Sequence, residues 1–487
     1  MVSASAVRPL VVAIATVLLA ACAVGPNHVR PAMSVPDRFV QAESDATATH
    51  SAVTPDSEFW RGFNDPLLTR LVDDALSTNH DLRIALANLD RASALLRGAK
   101  FDYLPTITAQ GQASDNRASA DQQPGVPRSA RDYDSYSVGA QASWELDLFG
   151  RVRRSVEAQR AGMQASVADL QALQVAVVGE VANSYIGLRG AQERLRVARQ
   201  NADNQAQTLK LVEARFNAGR GTEFDTSRAR AQLETTRSRV PALEAQVAVS
   251  MHRLAVLTGR APEALISELT PTGPLPVLPA RIDPSTPGEL LRHRPDVAAA
   301  EQRLHAATAR IGVATADLFP RFTLGGLIGS QAADTGALFS RDSETHLVAL
   351  GIDWSFLDIG RVRARIKAAD ADAEGELAQY EKTVLLALED TENALVRHDR
   401  ARSEDAHLEQ AALDSAKAAQ LARVRYHAGA TDLFEVLDAE RTQLQAEDAF
   451  ADARTRSAGS AIALYKALAG GWPDRMPERK KLASRSP

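Results

Sequence analysis

Two segments of the chain alternate between apolar and polar residues, the pattern of a strand with one apolar face. The stronger apolar series are Tyr136, Val138, Ala140, Ala142, Trp144, Leu146 and Leu148, and Val348, Leu350, Ile352, Trp354 and Phe356. Weaker alternation follows Pro105 and Pro320. The pattern therefore predicts two hairpins, at residues 104–148 and 319–357, with four strands of about ten residues.

The rest of the pattern has helical spacing. Residues 150–216 and 360–426 contain no proline, and at 1.5 Å per residue each stretch would extend about 100 Å. Shorter helices are predicted to return over 222–258 and 431–469, and others to precede the hairpins over 79–103 and 294–318. Two short helices end to end match one long helix, which predicts a hollow helical barrel. Pro241 should bend the first return helix.

The two halves of the chain repeat each other. "WELDLFGRVRR" starts at Trp144 and "WSFLDIGRVRA" at Trp354, so that Gly150 and Gly360 are also 210 residues apart. A tandem repeat follows, with copies at 79–259 and 294–470. The Pro/Gly-rich connector 260–293 and the N-terminal segment 22–78 are expected to form a midsection, and 471–487 a tail.

Strands of this length and alternation are typical of a barrel in an outer membrane. Four strands cannot span a bilayer alone, because an open sheet edge leaves backbone groups without hydrogen-bond partners in lipid. Closure must come from other copies: two would give eight strands, and three would give twelve with room for a channel. A soluble sheet packed on a core is the alternative, although no remaining segment resembles a covering layer.

Composition excludes several classes of protein. The net charge of −5 argues against a nucleic-acid binder. The ten histidines show no metal-ligand spacing, and neither a G-x-S-x-G elbow nor a phosphate-binding glycine loop is present. We therefore expect no enzyme, no metal site and no cofactor other than a covalent lipid.

That lipid is expected on Cys22, the only cysteine. A single Arg8, an eleven-residue apolar run and "LAAC" form a secretory signal too short to span a bilayer comfortably. The pattern resembles a bacterial lipobox, which implies removal of residues 1–21 and a diacylglyceryl thioether on Cys22. A chance cysteine after an ordinary signal peptide is the alternative. Ala23 follows where aspartate would retain the lipoprotein in the inner membrane, so the resemblance indicates the outer membrane.

The start of the mature chain, "CAVGPNHVRP", and the segment "FWRGFNDPLLTRLVDDALSTNHDLRIALANLDRA" resemble the NodT-type lipoprotein branch of the TolC-like outer-membrane factors. The resemblance extends to about Trp472 and includes both "GRVR" phrases. It implies an α+β membrane protein: a homotrimer with a 12-stranded barrel, four strands per chain, continuous with a periplasmic α-barrel. Partners would be outer-membrane lipid, a periplasmic adaptor and an inner-membrane pump of the resistance-nodulation-division (RND) type.

By the same resemblance, the turn at Gly429 would lie farthest from the membrane and would form the periplasmic aperture. Glu435 and Asp438 match positions of acidic rings, and Arg425 and Tyr426 lie where family members hold their helices shut. Thr431 stands where some members carry a basic residue. As an alternative, Asp432 and Glu435 have the spacing of a helix-capping pair.

The leading functional prediction is a passive exit duct of a tripartite efflux pump for drugs or other small toxic compounds. A duct for type I protein secretion is closely related. A coiled-coil lipoprotein that braces the envelope without conducting is the contrasting hypothesis, and it would need no membrane strands. The substrate is not readable from the sequence, because a wide tunnel selects weakly.

Overall fold

The computed structural model describes residues 23–40, 58–276, 282, 286–469, 477 and 479. Cys22 and the predicted signal peptide 1–21 lie outside the described residues, as does most of the predicted tail. The chain divides into two compact units. The first contains residues 1–32, 88–167 and 299–381, and the second contains residues 33–87, 168–298 and 382–487.

Long helices dominate the described part of the chain. The helices are α1 Pro66–Thr78, α2 His80–Phe101, α3 Arg151–Asn217, α4 Glu223–Arg237, α5 Arg239–Leu257, α6 Ile266–Leu269, α7 Pro287–His293, α8 Pro295–Ala316, α9 Ile359–His427 and α10 Leu433–Ala467. Both long helices, α3 and α9, end within one residue of the predicted boundaries. Gly219 and Gly429 follow them with φ of 70° and 74°, the left-handed conformation with which helices commonly stop.

The strands form one antiparallel sheet in the order β1-β2-β3-β4. Their bounds are β1 Thr106–Arg117, β2 Asp132–Leu146, β3 Arg321–Ala332 and β4 Glu344–Asp353. Four strands are present as predicted, and the central pairing joins the second strand of one repeat to the first strand of the other.

Strands β2 and β4 end earlier than the alternation predicts. Leu148 lies beyond β2, while Trp354 and Phe356 lie beyond β4, where residues 356–358 form a 3₁₀ turn. The Trp354 indole Nε1 donates to the Leu318 carbonyl oxygen at 3.0 Å, and Trp144 Nε1 donates to the Tyr103 oxygen at 3.1 Å. The repeated tryptophans thus tie the end of a strand to the helix that precedes the same hairpin.

The first return helix was predicted as one element and is two, which corrects that boundary. Helix α4 ends at Arg237 and α5 begins at Arg239, with Ser238 between them. Proline at 241 has no N–H to donate to the carbonyl oxygen four residues earlier, so the helical ladder is interrupted there. The second return helix, α10, has Ala451 at the equivalent position and is continuous.

The second unit has an aromatic and aliphatic core. Phe59, Trp60 and Phe63 are buried, and Phe59 stacks on Tyr465 with ring centroids 4.6 Å apart. Among the described residues, only α3 includes an 18-residue stretch apolar enough to cross a membrane by length and composition, and 56% of that stretch is buried within the protein. That burial is the usual property of a core helix.

Candidate functional site

The strand register sorts the sheet into two faces. One row across it joins Ile107, Ala142, Gly326 and Val348. Alternate residues share this face, and its larger apolar members are Val138, Trp144, Leu146, Phe322, Leu324, Ile328, Leu350 and Ile352.

The opposite face is built mainly from polar and small residues. One of its rows joins Gln110, Gly139, Gly329 and Thr345. A Cβ on Gly329 would lie 2.4 Å from the Val138 carbonyl oxygen, so glycine allows β2 and β3 to approach closely there. The sheet is therefore amphipathic.

The apolar face has no covering layer among the described residues. Val348 is 77% exposed, Ile107 71% and Ile328 69%, on three different strands. Exposed apolar patches of this kind mark a surface that contacts lipid or another protein. In addition, within the described part of the chain β1 and β4 each pair on one side only, which leaves two edges whose backbone groups can bond another chain.

The second candidate site is the helix tip around Gly429, where two of the predicted aperture residues meet. Arg425 Nη1 lies 3.5 Å from Glu435 Oε2, and both side chains are more than half exposed. Asp438 forms an ion pair with Arg441, three residues further along α10. Each acid thus has a basic partner within the chain.

Tyr426 differs from the other predicted aperture residues because it is buried. It packs in an apolar cluster with Val212, Ala229 and Leu433. The Arg215 guanidinium carbon lies 4.0 Å from the Tyr426 ring centroid, and Arg215 Nη2 donates to the Tyr426 carbonyl oxygen at 3.0 Å. Arg215 therefore belongs to this site.

Sequence reasoning missed Arg215, although a signal was available. "RFNAG" and "RYHAG" are equivalent tips 210 residues apart, so the Arg and the aromatic residue that meet are in different repeats. The capping alternative is correct in one respect, since the Asp432 side chain accepts from the Glu435 backbone N–H at 3.1 Å. The Glu435 carboxylate itself faces Arg425.

A buried polar seam between α3 and α10 was also missed. Thr208 Oγ1 donates to Glu440 Oε1 at 2.8 Å, and Asn201 Nδ2 donates to Glu447 Oε2 at 2.8 Å. Glu440 is only 1% exposed, and its Oε2 has no hydrogen-bond partner among the described residues. Burial raises the pKa of Glu440, opposed by the Thr208 hydrogen bond and by the charge of Arg423.

The described part of the chain contains no cluster of three or more His, Cys, Asp or Glu side chains placed to hold a metal ion. Both candidate sites are surfaces on which a partner could bind. One is an apolar sheet face with two open edges, and the other is a helix tip held by ion pairs and by one arginine–tyrosine contact.

Comparison with known proteins shows which family the chain resembles. A model of the family "Outer membrane efflux protein" matches residues 71–260 and 286–470. The chain belongs to the outer membrane efflux protein family. The two matched segments overlap the predicted repeats at 79–259 and 294–470.

Individual relatives cover nearly the whole chain. Outer membrane protein OprJ of Pseudomonas aeruginosa is 34% identical over 466 residues, which is 94% of each protein. The pyoverdine export outer membrane protein OpmQ of Pseudomonas putida is 34% identical over 89% of this chain and 92% of its own. The solved structure of the outer-membrane channel OprN is 40% identical, with a TM-score of 0.87, over 93% of this chain and all of that one.

Proposed function

We propose that this protein is the outer-membrane exit duct of a tripartite efflux pump, a passive channel that extends into the periplasm. Membership of the outer membrane efflux family supports the location and the efflux role. In such a pump the duct works with a periplasmic adaptor and an inner-membrane transporter, and we assign an RND transporter as the partner.

The amphipathic sheet with two unpaired edges is the observation on which the proposal depends. Lipid would cover the exposed apolar face, while the polar face would line water. Open edges are not tolerated in lipid, so β4 of one copy must pair with β1 of the next. A homotrimer closed in this way has twelve strands.

The helices supply a second argument for association. Leu385, Leu413, Leu421 and Val424 on α9 are each more than half exposed, as is Val249 on α5. Exposed apolar side chains on long helices are typical of a surface that contacts another protein chain. We assign that partner to a second copy, so that the long helices would also pack against each other in the trimer.

Conductance of the purified protein in a planar bilayer tests the duct. We expect steady single-channel currents from protein that light scattering shows to be trimeric. A stable monomer or dimer would contradict closure by three chains, and a trimer without conductance would favour a structural lipoprotein.

Two finer assignments belong to the same proposal. Cys22 carries the lipid that anchors the mature N-terminus, as the lipobox-like "LAAC" indicates. Arg425, Tyr426, Glu435 and Asp438 border the periplasmic aperture. Support for the second assignment comes from the exposed Arg425–Glu435 pair beside the Gly429 turn.

The cargo is a separate question from the duct. OpmQ is named for pyoverdine export, whereas the name of OprJ specifies no compound. Because the channel is passive, we assign the choice of compound to the inner-membrane transporter.

A further inference from the structure

The first residues of the mature chain are held by a buried arginine. Arg154, near the start of α3, is 4% exposed. Its Nε donates to the Val24 carbonyl oxygen at 3.2 Å, and its Nη2 donates to Asn27 Oδ1 at 2.7 Å and to the Gly25 oxygen at 3.3 Å. Nη1 donates to Glu157 Oε2 at 2.8 Å. Most of the guanidinium's hydrogen bonds therefore go to residues 23–27.

Three glycines make room for this contact. A Cβ on Gly150 would lie 2.5 Å from the Ala23 Cβ, and one on Gly25 would lie 2.5 Å from the Gly312 Cα. A Cβ on Gly312 would come within 2.8 Å of the Arg154 side chain. Gly25 and Gly150 also have φ of 87° and 83°, which disfavours any other residue.

Beyond the glycines, the chain runs along α8. His28 stacks on His305 with ring centroids 4.5 Å apart, and Arg30 Nε lies 3.2 Å from Glu301 Oε2. Burial, and then the charge of His305, lowers the pKa of His28, which favours a neutral ring in the stack.

The spacing of these contacts gives the conformation of the segment. From Gly312 to His305 the helix rises about 10 Å. The three residues from Gly25 to His28 span the same distance only if they are extended. Beyond the bend at Gly25, residues 26–30 therefore form an extended segment antiparallel to α8.

The chain passes from a strand to a long helix twice, at Gly150 and at Gly360. The arrangement around Arg154 occurs at the first of these two junctions. The position equivalent to Arg154, 210 residues later, is Ala364. Gly360, which is equivalent to Gly150, has no atom within 4 Å of the place where its Cβ would lie. The repeat therefore accounts for a glycine at residue 150 but not for an arginine at residue 154. The contact of Arg154 with residues 23–27 is a feature of the first repeat and needs its own explanation.

We infer that Arg154, with Gly25, Gly150 and Gly312, forms a dock for the first residues of the mature lipoprotein, and that the dock fixes the lipid anchor at the end of strand β2. Cys22 is bonded to Ala23, so their Cα atoms are about 3.8 Å apart. Val24 N donates to the Phe149 oxygen at 3.1 Å, three residues after β2 ends. The inference rests on the proposed lipidation of Cys22.

The dock also bears on how the two repeats are joined. Phe149, after β2, stacks on Phe319, before β3, with centroids 4.6 Å apart. The docked segment crosses from α3 to α8 beside this pair. Acyl chains attached to Cys22 would then lie beside the paired strands β2 and β3 and would not diffuse freely in the leaflet.

Gly312→Ala tests the dock, because the new methyl group displaces the Arg154 side chain. Gly162→Ala is the matched control: it is also a helical glycine, and nothing lies within 4 Å of its Cβ position. Val29, 78% exposed, is changed to cysteine and spin-labelled in the purified lipoprotein. We expect the mobile fraction of the spectrum to rise at least threefold with Gly312→Ala and to stay unchanged with Gly162→Ala.

A second variant distinguishes loss of the dock from a folding defect in Gly312→Ala. Arg154→Lys keeps the charge but loses the planar fork that serves several acceptors, so the label should again become more mobile. Arg160→Lys, on the exposed side of the same helix, is its control. An unchanged spectrum in both Gly312→Ala and Arg154→Lys would overturn the dock.

Lipid position needs its own measurement. Protein made with a diazirine-bearing fatty acid should crosslink to residues near 146–150, and the yield should fall at least threefold in Arg154→Lys. An equal yield in the variant would overturn the positioning of the anchor. Bilayer conductance of the unsubstituted protein, recorded in parallel, reports on the duct proposal independently, and absence of the fatty acid from purified protein would overturn lipidation.

Discussion

At the residue scale, the buried carboxyl of Glu440 is an unfavourable feature of the second unit. Its Oε2 has no hydrogen-bond partner among the described residues, and leaving a buried polar atom unpaired costs about 1–3 kcal/mol. On the same seam, Gln205 and Gln443 also have amide atoms that no described residue pairs with. Such a seam holds two helices together less firmly than an apolar one.

Glu440→Gln should stabilise the protein at neutral pH. Because burial raises the folded-state pKa above the ordinary value of 4.5, the carboxyl contributes stability below that value and loses it as the pH rises through the raised pKa. We therefore expect the gain from Gln, about 1–3 kcal/mol, to be larger at pH 8 than at pH 5. Thermal unfolding across this range measures it.

The control for this prediction is Glu404→Gln, because Glu404 is 48% exposed and paired with Arg456. It should show no such pH-dependent gain. Equal stability of the Glu440→Gln variant and the parent at pH 8 would mean that the carboxylate is satisfied by water.

The acids at the helix tip allow a test of the aperture. If three copies each of Glu435 and Asp438 approach one axis, like charges about 6 Å apart repel by about 2.8 kcal/mol per pair at an effective dielectric of 20. Glu435→Gln with Asp438→Asn should weaken cation selectivity and block by multivalent cations, with little effect on the trimer. Bilayer recordings that show unchanged selectivity would restrict these acids to pairing with Arg425 and Arg441.

At the scale of the elements, the repeat made the fold largely predictable. Alternation identified all four strands, and proline-free periodicity identified α3 and α9 within one residue. The ends of the strands were harder to predict from the sequence. Trp354 continues the apolar alternation, but its indole donates to the segment that follows the helix before its hairpin. Side-chain contacts between repeats, such as Arg215 with Tyr426, depend on packing that no single repeat reveals. The dock around Arg154 was missed because several of its acceptors are backbone carbonyls, which no sequence pattern marks.

The two faces of β4 predict opposite effects for neighbouring substitutions. Leu350 is on the apolar face and 61% exposed, and arginine on a lipid-facing strand position costs about 2–4 kcal/mol near the bilayer midplane. Leu350→Arg should therefore reduce the yield of assembled trimer in membranes strongly. Ala349→Arg, on the other face, should be tolerated. Equal yields would mean that the apolar face does not contact lipid.

The interruption at Pro241 predicts a difference between the return helices. Pro241→Ala would supply the missing N–H, so α4 and α5 should fuse and their amide exchange near residue 238 should slow. Ala451→Pro in α10 should cost about 3 kcal/mol and speed exchange around residue 447. If exchange near residue 238 stays fast in Pro241→Ala, another cause of the break at Ser238 is required.

At the scale of the whole molecule, sequence and structure answer different questions. The tandem repeat and lipobox-like start indicate the class of protein, and the family comparisons show the class directly. What the sequence could not give is which faces remain exposed in one chain, because exposure depends on the register of all four strands. The edges of β1 and β4, which no other described strand pairs with, are the clearest example.

Those two edges have a genetic consequence. If every strand edge needs a neighbour's edge, one defective subunit spoils a whole ring, and inactive alleles should be dominant. Val348→Pro in β4 removes a backbone donor needed by β3 or by the next copy. Produced in equal amount with the parent and mixed at random, it should leave roughly one in eight trimers intact. The yield of heat-resistant trimer checks this, and a yield near one half would mean that subunits are sorted before the sheet closes.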